Sequence, residues 1–152
     1  MYNEKTWKDG EDLTAEYMQK QGHKIIYRNY FCKIAELDIV SILSKKVQKR
    51  NVKNEFKQKI KNINDKIEIK LLKYALKNEL KNLKDLLIIT EVKSRINNHF
   101  GTGADAISKD KIRHMQNGAM FLLKMKKFKN MQVRFDFASV DAGKITYIKG
   151  II

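Results

Sequence analysis

The sequence contains no proline, a single cysteine and no long apolar run. Cys32 has no second cysteine with which to close a disulfide, which favours a reducing compartment. The longest apolar runs, such as residues 86–89, fall far short of the roughly 20 residues that a membrane-spanning helix needs. No apolar signal-peptide core lies near Met1. These absences predict a cytoplasmic protein without a membrane span.

Acidic residues are also scarce, because 17 Asp and Glu stand against 32 Lys and Arg. The formal charge of +15 favours a polyanionic partner, and nucleic acid is the first candidate. The alternative is mutational bias, since a chain rich in Lys, Ile and Asn and without Pro is typical of an AT-rich genome. Composition leaves both explanations open.

Periodicity predicts a mixed α/β fold in a single domain spanning residues 1–152. A helix is expected over residues 7–21 with Gly22 as its stop, followed by strands over 23–30 and 31–43 with a bend near Asn29. The second strand, apolar on both sides at Ile39 and Val40, should be central in its sheet. Further elements are expected as a strand over 86–92, a helix from Ser108 to about Lys126, and a hairpin of 133–140 and 145–148 that turns at 141–143.

Residues 44–84 differ in composition and are interpreted as an insertion. They contain 14 Lys and Arg against 4 acids, a net of +10. Apolar residues recur every three to five positions, which predicts one long or two shorter amphipathic helices with a turn near residues 62–65. These apolar positions are Phe56, Ile60, Ile63, Ile67, Leu71, Leu76, Leu80 and Leu83. The lysines could form a solvated face, or an arm against phosphates in which Lys45, Lys46, Lys49 and Arg50 bind nucleic acid. A third possibility is that the apolar stripe docks a partner helix or a second copy of the chain as a homodimer.

Two strands carry charges inside apolar runs, a placement that is costly unless the charges have partners. Because side chains alternate along a strand, Glu36 and Asp38 are expected to share one face, as are Glu91 and Lys93. Converging carboxylates repel each other unless a cation joins them, and hard oxygen ligands suit Mg²⁺ or Mn²⁺. A neighbouring lysine could then stabilise charge on a phosphate oxygen. The alternative is a plain buried salt bridge between Lys93 and one of the acids.

A set of short motifs, in order along the chain, resembles the YraN-type bacterial family. That family is similar to PD-(D/E)XK nucleases, the restriction-endonuclease-like superfamily that includes Holliday-junction resolvases. The resemblance covers nearly the whole chain except residues 44–84, where family members usually have a short hairpin. The motifs are Gly10-Glu11-Asp12-Leu13, Ala15, Tyr17, Gly22, Asn29, Ala35-Glu36-Leu37-Asp38-Ile39-Val40, Thr90-Glu91-Val92-Lys93-Ser94-Arg95, Phe100-Gly101 and Arg134-Phe135-Asp136.

The resemblance implies a mixed central sheet flanked by helices and a metal-dependent DNA endonuclease, with branched or damaged DNA as a candidate substrate. It implies that Asp38 and Glu91 are metal ligands and that Lys93 is the catalytic lysine. Glu11 resembles the helix-borne acid of resolvase-type members, and Glu36 matches an acid that the family has beside the strand. Arg95 and Lys111 are candidates for contact with phosphate.

Two departures from the family pattern bear on this expectation. Ala35 stands where the family usually has Gly, and a Cβ there could obstruct a tight turn or a close approach of DNA. The other departure is the insertion itself. The competing hypothesis is a catalytically inactive nucleic-acid-binding module that uses the basic insertion for affinity.

Overall fold

A computed structural model of the protein describes residues 4–95 and 107–152. The Phe100-Gly101 motif lies outside the described residues. The described part contains four helices and five strands. Their bounds are α1 Glu4–Lys20, β1 Lys24–Cys32, β2 Ala35–Leu43, α2 Lys45–Ile60, α3 Lys66–Asn82, β3 Leu86–Arg95, α4 Lys109–Leu123, β4 Gln132–Asp141 and β5 Lys144–Ile148.

The five strands form one mixed sheet in the order β1-β2-β3-β4-β5. Strands β3 and β4 are parallel, whereas every other neighbouring pair is antiparallel. The parallel pair requires a crossover, and α4 lies within the connection between these two strands. The predicted α/β class, with a mixed central sheet flanked by helices and a helical insertion, is confirmed. None of the helices in the described ranges combines the length and the apolar character of a membrane span.

Apolar side chains form a core on each face of the sheet. On one face α4 contributes Met115, Ala119 and Leu122, which pack with Leu37, Val40, Leu87, Ile89 and Phe128. On the other face α1 contributes Ala15 and Met18, which pack with Ile39, Val92, Ala138 and Val140. Ile39 and Val40 therefore belong to different cores, as expected for a central strand that is covered on both faces.

The insertion is a helical hairpin between β2 and β3, with its turn at residues 61–65. Its base is pinned to the sheet by Gln48, whose buried side chain donates to the carbonyls of Leu43 at 3.0 Å and Lys84 at 2.7 Å. The backbone N–H of Lys45 donates to Asp85 Oδ1 at 2.6 Å. These bonds fix where α2 leaves the end of β2.

One local prediction was wrong. The turn of the first hairpin lies at Lys33 and Ile34, and Asn29 lies inside β1 with a φ of 48°. Asparagine tolerates this left-handed conformation better than most residues, which made it resemble a turn residue. In the insertion, Ile67 and Leu71 belong to the predicted apolar stripe and are exposed on α3.

A buried polar network fastens the C-terminal hairpin to the centre of the sheet. Asp136 is fully buried and accepts two hydrogen bonds from the guanidinium of Arg134, at 2.8 and 2.7 Å. It also accepts from the hydroxyl of Tyr147 at 2.8 Å and from the N–H of Gly150 at 2.9 Å. With four donors on one carboxylate, Asp136 is satisfied within the protein, and we assign it a structural role.

His23 is buried beside this network, with Nδ1 at 3.0 Å from the hydroxyl of Ser41. Burial of the ring, together with the positive charge of Arg134, lowers the pKa of His23 to about 4. The imidazole is therefore neutral at physiological pH, and we assign it a packing role.

Candidate functional site

Strands β2 and β3 place Asp38 beside Glu91. The antiparallel register pairs Ile39 with Thr90, and one further step of the same register sets Asp38 opposite Glu91. The backbone N–H of Val92 donates to Asp38 Oδ2 at 2.8 Å and so fixes the carboxylate against β3. The acids that the sequence predicted to converge are neighbours across these two strands.

The environment of Asp38 disfavours its negative charge. Burial, and then the negative charge of Glu91, raise the pKa of Asp38 from 3.8 to about 7. The hydrogen bond from the Val92 N–H acts in the opposite direction, while a hydrogen bond shared with the Glu91 carboxyl raises the pKa further. The negative charge of Asp38 is therefore poorly stabilised by its surroundings, a condition that a cation relieves.

One cation already lies at the pair. The ammonium of Lys111, on the first turn of α4, is 3.0 Å from Glu91 Oε2. Burial alone would lower the pKa of Lys111, but its hydrogen bond to Glu91 and the charges of Glu91, Asp38 and Glu36 leave that pKa raised. Lys111 was predicted to meet phosphate, and in the structure it forms an ion pair with Glu91.

Two local features position Lys111. The hydroxyl of Ser108 caps α4 by accepting from the backbone N–H of Lys111 at 3.1 Å. Farther along the helix, a Cβ on Gly118 would lie 2.8 Å from a methyl carbon of Leu37, so the missing side chain lets α4 cross close to β2. Together these features fix where α4 begins and how closely it packs against the sheet beside the site.

Glu11 approaches the acidic pair from the opposite face of the sheet. It is only 5% exposed, as its position on the helical wheel predicted. Gly10 brings α1 against β3, because a Cβ there would lie 2.7 Å from Cβ of Ser94. Burial, and to a smaller extent the charge of Asp38, raise the pKa of Glu11 despite hydrogen bonds from Asn29 and Arg28.

Arg28 and Asn29 are site residues that sequence reasoning did not assign. The amide of Asn29 donates to Glu11 Oε2 at 2.9 Å, and the guanidinium of Arg28 is 3.6 Å from the same oxygen. The left-handed backbone of Asn29 lies where the β1–β2 ladder skips the pair Asn29 and Asp38. The polar pair Arg28 and Asn29 between apolar residues of the strand was the available signal, and Asn29 was interpreted as a bend.

Of the remaining predicted site residues, some lie near Asp38 and Glu91 and the others lie on the insertion. Glu36 is exposed, and its charge acts on Lys111. Lys93 is exposed and Arg95 half-buried on β3, and alternation puts Lys93 on the face that carries Glu91. By contrast, the predicted nucleic-acid-binding residues of the insertion follow the far end of β2, roughly 16 Å from Asp38 at about 3.3 Å per residue. They are Lys45, Lys46, Lys49 and Arg50.

The donor set fits a magnesium-like ion that is bound in part by non-protein ligands. Within residues 4–95 and 107–152, no three His, Cys, Asp or Glu side chains form a group able to hold a metal. Mg²⁺ commonly uses one or two carboxylates and completes its shell with water and substrate phosphate. The mutually repelling carboxylates of buried Asp38 and partly buried Glu91 meet that requirement, whereas a cage made entirely of side chains is not available there.

The sequence matches a known protein family and several of its members. The model of the uncharacterised protein family UPF0102 matches residues 10–140. A UPF0102 protein of Clostridium perfringens strain 13 is 26% identical over 140 residues, which cover 92% of this chain and 82% of that protein. One from Fusobacterium nucleatum is 25% identical, with 93% and 86% covered. One from Thermotoga petrophila is 46% identical over 35 residues, which are 23% of this chain and 32% of the relative.

Proposed function

This chain belongs to the uncharacterised protein family UPF0102, and we propose that it is a divalent-metal-dependent nuclease that hydrolyses phosphodiester bonds in DNA. The family match confirms the YraN-type resemblance that was drawn from the motifs. The further likeness of that family to PD-(D/E)XK nucleases supports the proposal. Branched or damaged DNA is the proposed substrate, Mg²⁺ or Mn²⁺ the proposed cofactor and the cytoplasm the proposed location.

The observation that carries the proposal is the pair formed by buried Asp38 and partly buried Glu91. A fold gains no stability from pressing two carboxylates together in a partly buried position, and the raised pKa of Asp38 reflects that cost. Such pairs are typical of sites where a function requires the charge. Hydrolysis of a phosphodiester needs stabilisation of negative charge on phosphate oxygens, and a divalent cation held by two carboxylates meets that need.

Each residue of the site has a proposed role. Asp38 and Glu91 would hold the ion, which would supply Lewis-acid stabilisation of charge on the phosphate. Lys93 donates a hydrogen bond to a phosphate oxygen in the transition state. Lys111 leaves Glu91 and, with Arg95, binds neighbouring phosphates of the strand. Glu11, held by Asn29 and Arg28, keeps α1 against the acidic pair, and Glu36 adds negative charge at the rim.

A second candidate function is a nucleic-acid-binding module that does not hydrolyse its ligand. The ion pair between Lys111 and Glu91 favours it, since an ammonium 3.0 Å from Glu91 partly neutralises the acids without a metal. In that case affinity would come from the basic insertion. The two candidates differ in one respect: only the nuclease changes the covalent structure of DNA.

A cleavage assay distinguishes them. Purified protein is incubated with labelled duplex, flap, forked and four-way-junction DNA, in Mg²⁺, in Mn²⁺ and in EDTA. We expect cleavage of at least one substrate with either metal and none in EDTA. Cleavage that persists in EDTA would contradict the metal-dependent mechanism. Tight binding of the same substrates without cleavage in either metal would establish the binding module.

A further inference from the structure

Helix α2 carries a strong and one-sided positive charge. Seven of its 16 residues are Lys or Arg, and Glu55 is its only acid. The spacing of Lys45, Lys49, Lys53 and Lys57 is four residues, so their Cα atoms rise by roughly 6 Å at each step. At 100° per residue, these four together with Lys46 and Arg50 fall within an arc of roughly 140°. We call this set of six cations the α2 basic face.

Compositional bias toward lysine does not explain this arrangement. A bias would scatter lysines over all exposed positions, whereas α2 has six of its seven cations on one arc. Gln48, which anchors the helix to the sheet, lies off this arc, and Val52 and Phe56, which lie beside and at its Lys45 edge, line a separate groove together with residues of α3. The side chains of the α2 basic face line an open groove.

The α2 basic face opposes helix stability. Like charges four residues apart on a helix repel each other, and this face contains four such neighbouring pairs. The first turn of α2 contains no acidic residue, although acids there would complement the helix dipole, and it carries Lys45 and Lys46 instead. A polyanion bound along the face would offset both the repulsion between the cations and the unfavourable placement of Lys45 and Lys46 at the helix N-terminus.

The helix is also held in place, so that its charges form a fixed surface. Gln48 ties its first turns to Leu43 and Lys84, and Asn51 donates to the carbonyl of Gln21 at the end of α1, at 3.4 Å. The face begins roughly 16 Å from Asp38, the length of five strand residues. It is therefore separate from the acidic pair.

From this charge pattern we propose that the α2 basic face binds the phosphodiester backbone of a nucleic acid strand, without reading its bases. Five of the six cations are lysines, which act as point charges on phosphate, whereas base recognition mostly uses the planar fork of arginine. A membrane surface fits less well, because among the described residues none of the exposed large apolar side chains belongs to α2, and those of the insertion lie on α3. The binding does not require cleavage at Asp38 and Glu91.

The test measures binding in EDTA, so that the proposed metal site does not contribute. Fluorescence anisotropy is recorded with single-stranded and duplex DNA and with RNA of mixed sequence, over a range of KCl concentrations. The variant K46Q/K49Q/K53Q/K57Q removes four charges from the face, and Gln has nearly the same helix propensity as Lys. We expect it to weaken binding by more than about tenfold and to reduce the salt slope by roughly 0.7 to 0.9 per lost contact.

A matched variant removes the same charge elsewhere. K124Q/K126Q/K129Q/K144Q neutralises four exposed lysines outside α2, and we expect it to keep most of the affinity. An equal loss in both variants would overturn the proposal by showing that net charge alone is responsible. Binding to sodium polyglutamate, or to vesicles of phosphatidylcholine and phosphatidylserine, that equals binding to nucleic acid would also overturn it.

Thermal unfolding distinguishes lysines that bind a ligand from lysines that only stabilise the fold. Without ligand, the α2 variant should unfold at the same temperature as the wild type or a higher one, because repulsion has been removed. Oligonucleotide should raise the unfolding temperature of the wild type and of the matched control, and much less that of the α2 variant. A lower unfolding temperature of the free α2 variant would contradict the proposal. Because binding is measured in EDTA, its outcome does not depend on whether the protein cleaves DNA with Mg²⁺ or Mn²⁺, so failure of this proposal and failure of the nuclease proposal are distinguishable.

Discussion

Replacing Asp38 by asparagine is expected to lower DNA cleavage by at least about a hundredfold and to stabilise the metal-free protein above pH 7. Asparagine has the same shape, and its side-chain oxygen can still accept from the N–H of Val92. What it removes is the negative charge, which the metal requires and the fold disfavours. A substitution that improves stability while removing activity is the expected behaviour of a functional acid.

The pH dependence of this effect follows from the direction of the pKa shift. The pKa of Asp38 is raised from 3.8 to about 7 in the folded protein, so the folded state holds a proton that the unfolded state has released. The wild type therefore loses free energy of unfolding as pH rises from about 4 to 7, by roughly 2–4 kcal/mol from this group. Asp38→Asn should match the wild type near pH 4 and exceed it at pH 8 by roughly 5–15 °C in unfolding temperature.

Glu36→Gln is the matched control, since it removes an exposed carboxylate two residues away on the same strand. It should change the unfolding temperature by little at any of these pH values. Unfolding is followed in EDTA by circular dichroism or calorimetry. A D38N protein that is less stable than wild type at pH 8, or that still cleaves DNA, would contradict the assigned role of Asp38.

Replacing Lys93 by glutamine is expected to lower kcat by roughly 10²–10³. Its proposed hydrogen bond forms to charge that develops on phosphate in the transition state, so substrate affinity should change little. Because Lys93 is not a proposed ligand, Mn²⁺ affinity should also be retained. Single-turnover cleavage and a separate binding titration measure the two quantities. A variant with unchanged kcat would remove Lys93 from the mechanism.

Lys111→Gln is the comparison that tests whether the two lysines act differently. Lys111 is paired with Glu91 at 3.0 Å and competes there with a divalent ion. Its removal should raise Mn²⁺ affinity by about tenfold, the equivalent of roughly 1.4 kcal/mol, while weakening DNA binding. If Lys93→Gln and Lys111→Gln changed Mn²⁺ affinity and kcat in the same way, the proposal that the two lysines have separate roles would be wrong.

Much of the fold followed from local patterns, and the failures have identifiable physical causes. The alternation at Ile39 and Val40 predicted a central strand, and the pattern around Ser108 predicted the cap of α4, because both signals depend on neighbouring residues. The position of the first turn could not be found in that way. Asn29 has the preferences of a turn residue, but it lies in a strand where it satisfies Glu11, a partner 18 residues away.

The proximity of Asp38 and Glu91 could be anticipated, because acids inside two apolar strands need a common partner. The contact of Lys111 with Glu91 could not be anticipated, because it depends on which part of α4 crosses β2. That crossing is set by Gly118 against Leu37, a tertiary contact without a sequence pattern. Likewise, the apolar stripe of the insertion left open which residues face α2, and Ile67 and Leu71 turned out to face solvent.

The central claim is that Asp38 and Glu91 together hold one divalent ion, and a Mn²⁺ titration tests it most directly. Bound and free Mn²⁺ are measured by electron paramagnetic resonance in the wild type and in the Asp38→Asn, Glu91→Gln and Glu36→Gln variants. One ion per chain is expected for the wild type and for Glu36→Gln, with the site lost in either of the other two variants. Unchanged binding when both Asp38 and Glu91 are replaced would contradict the account.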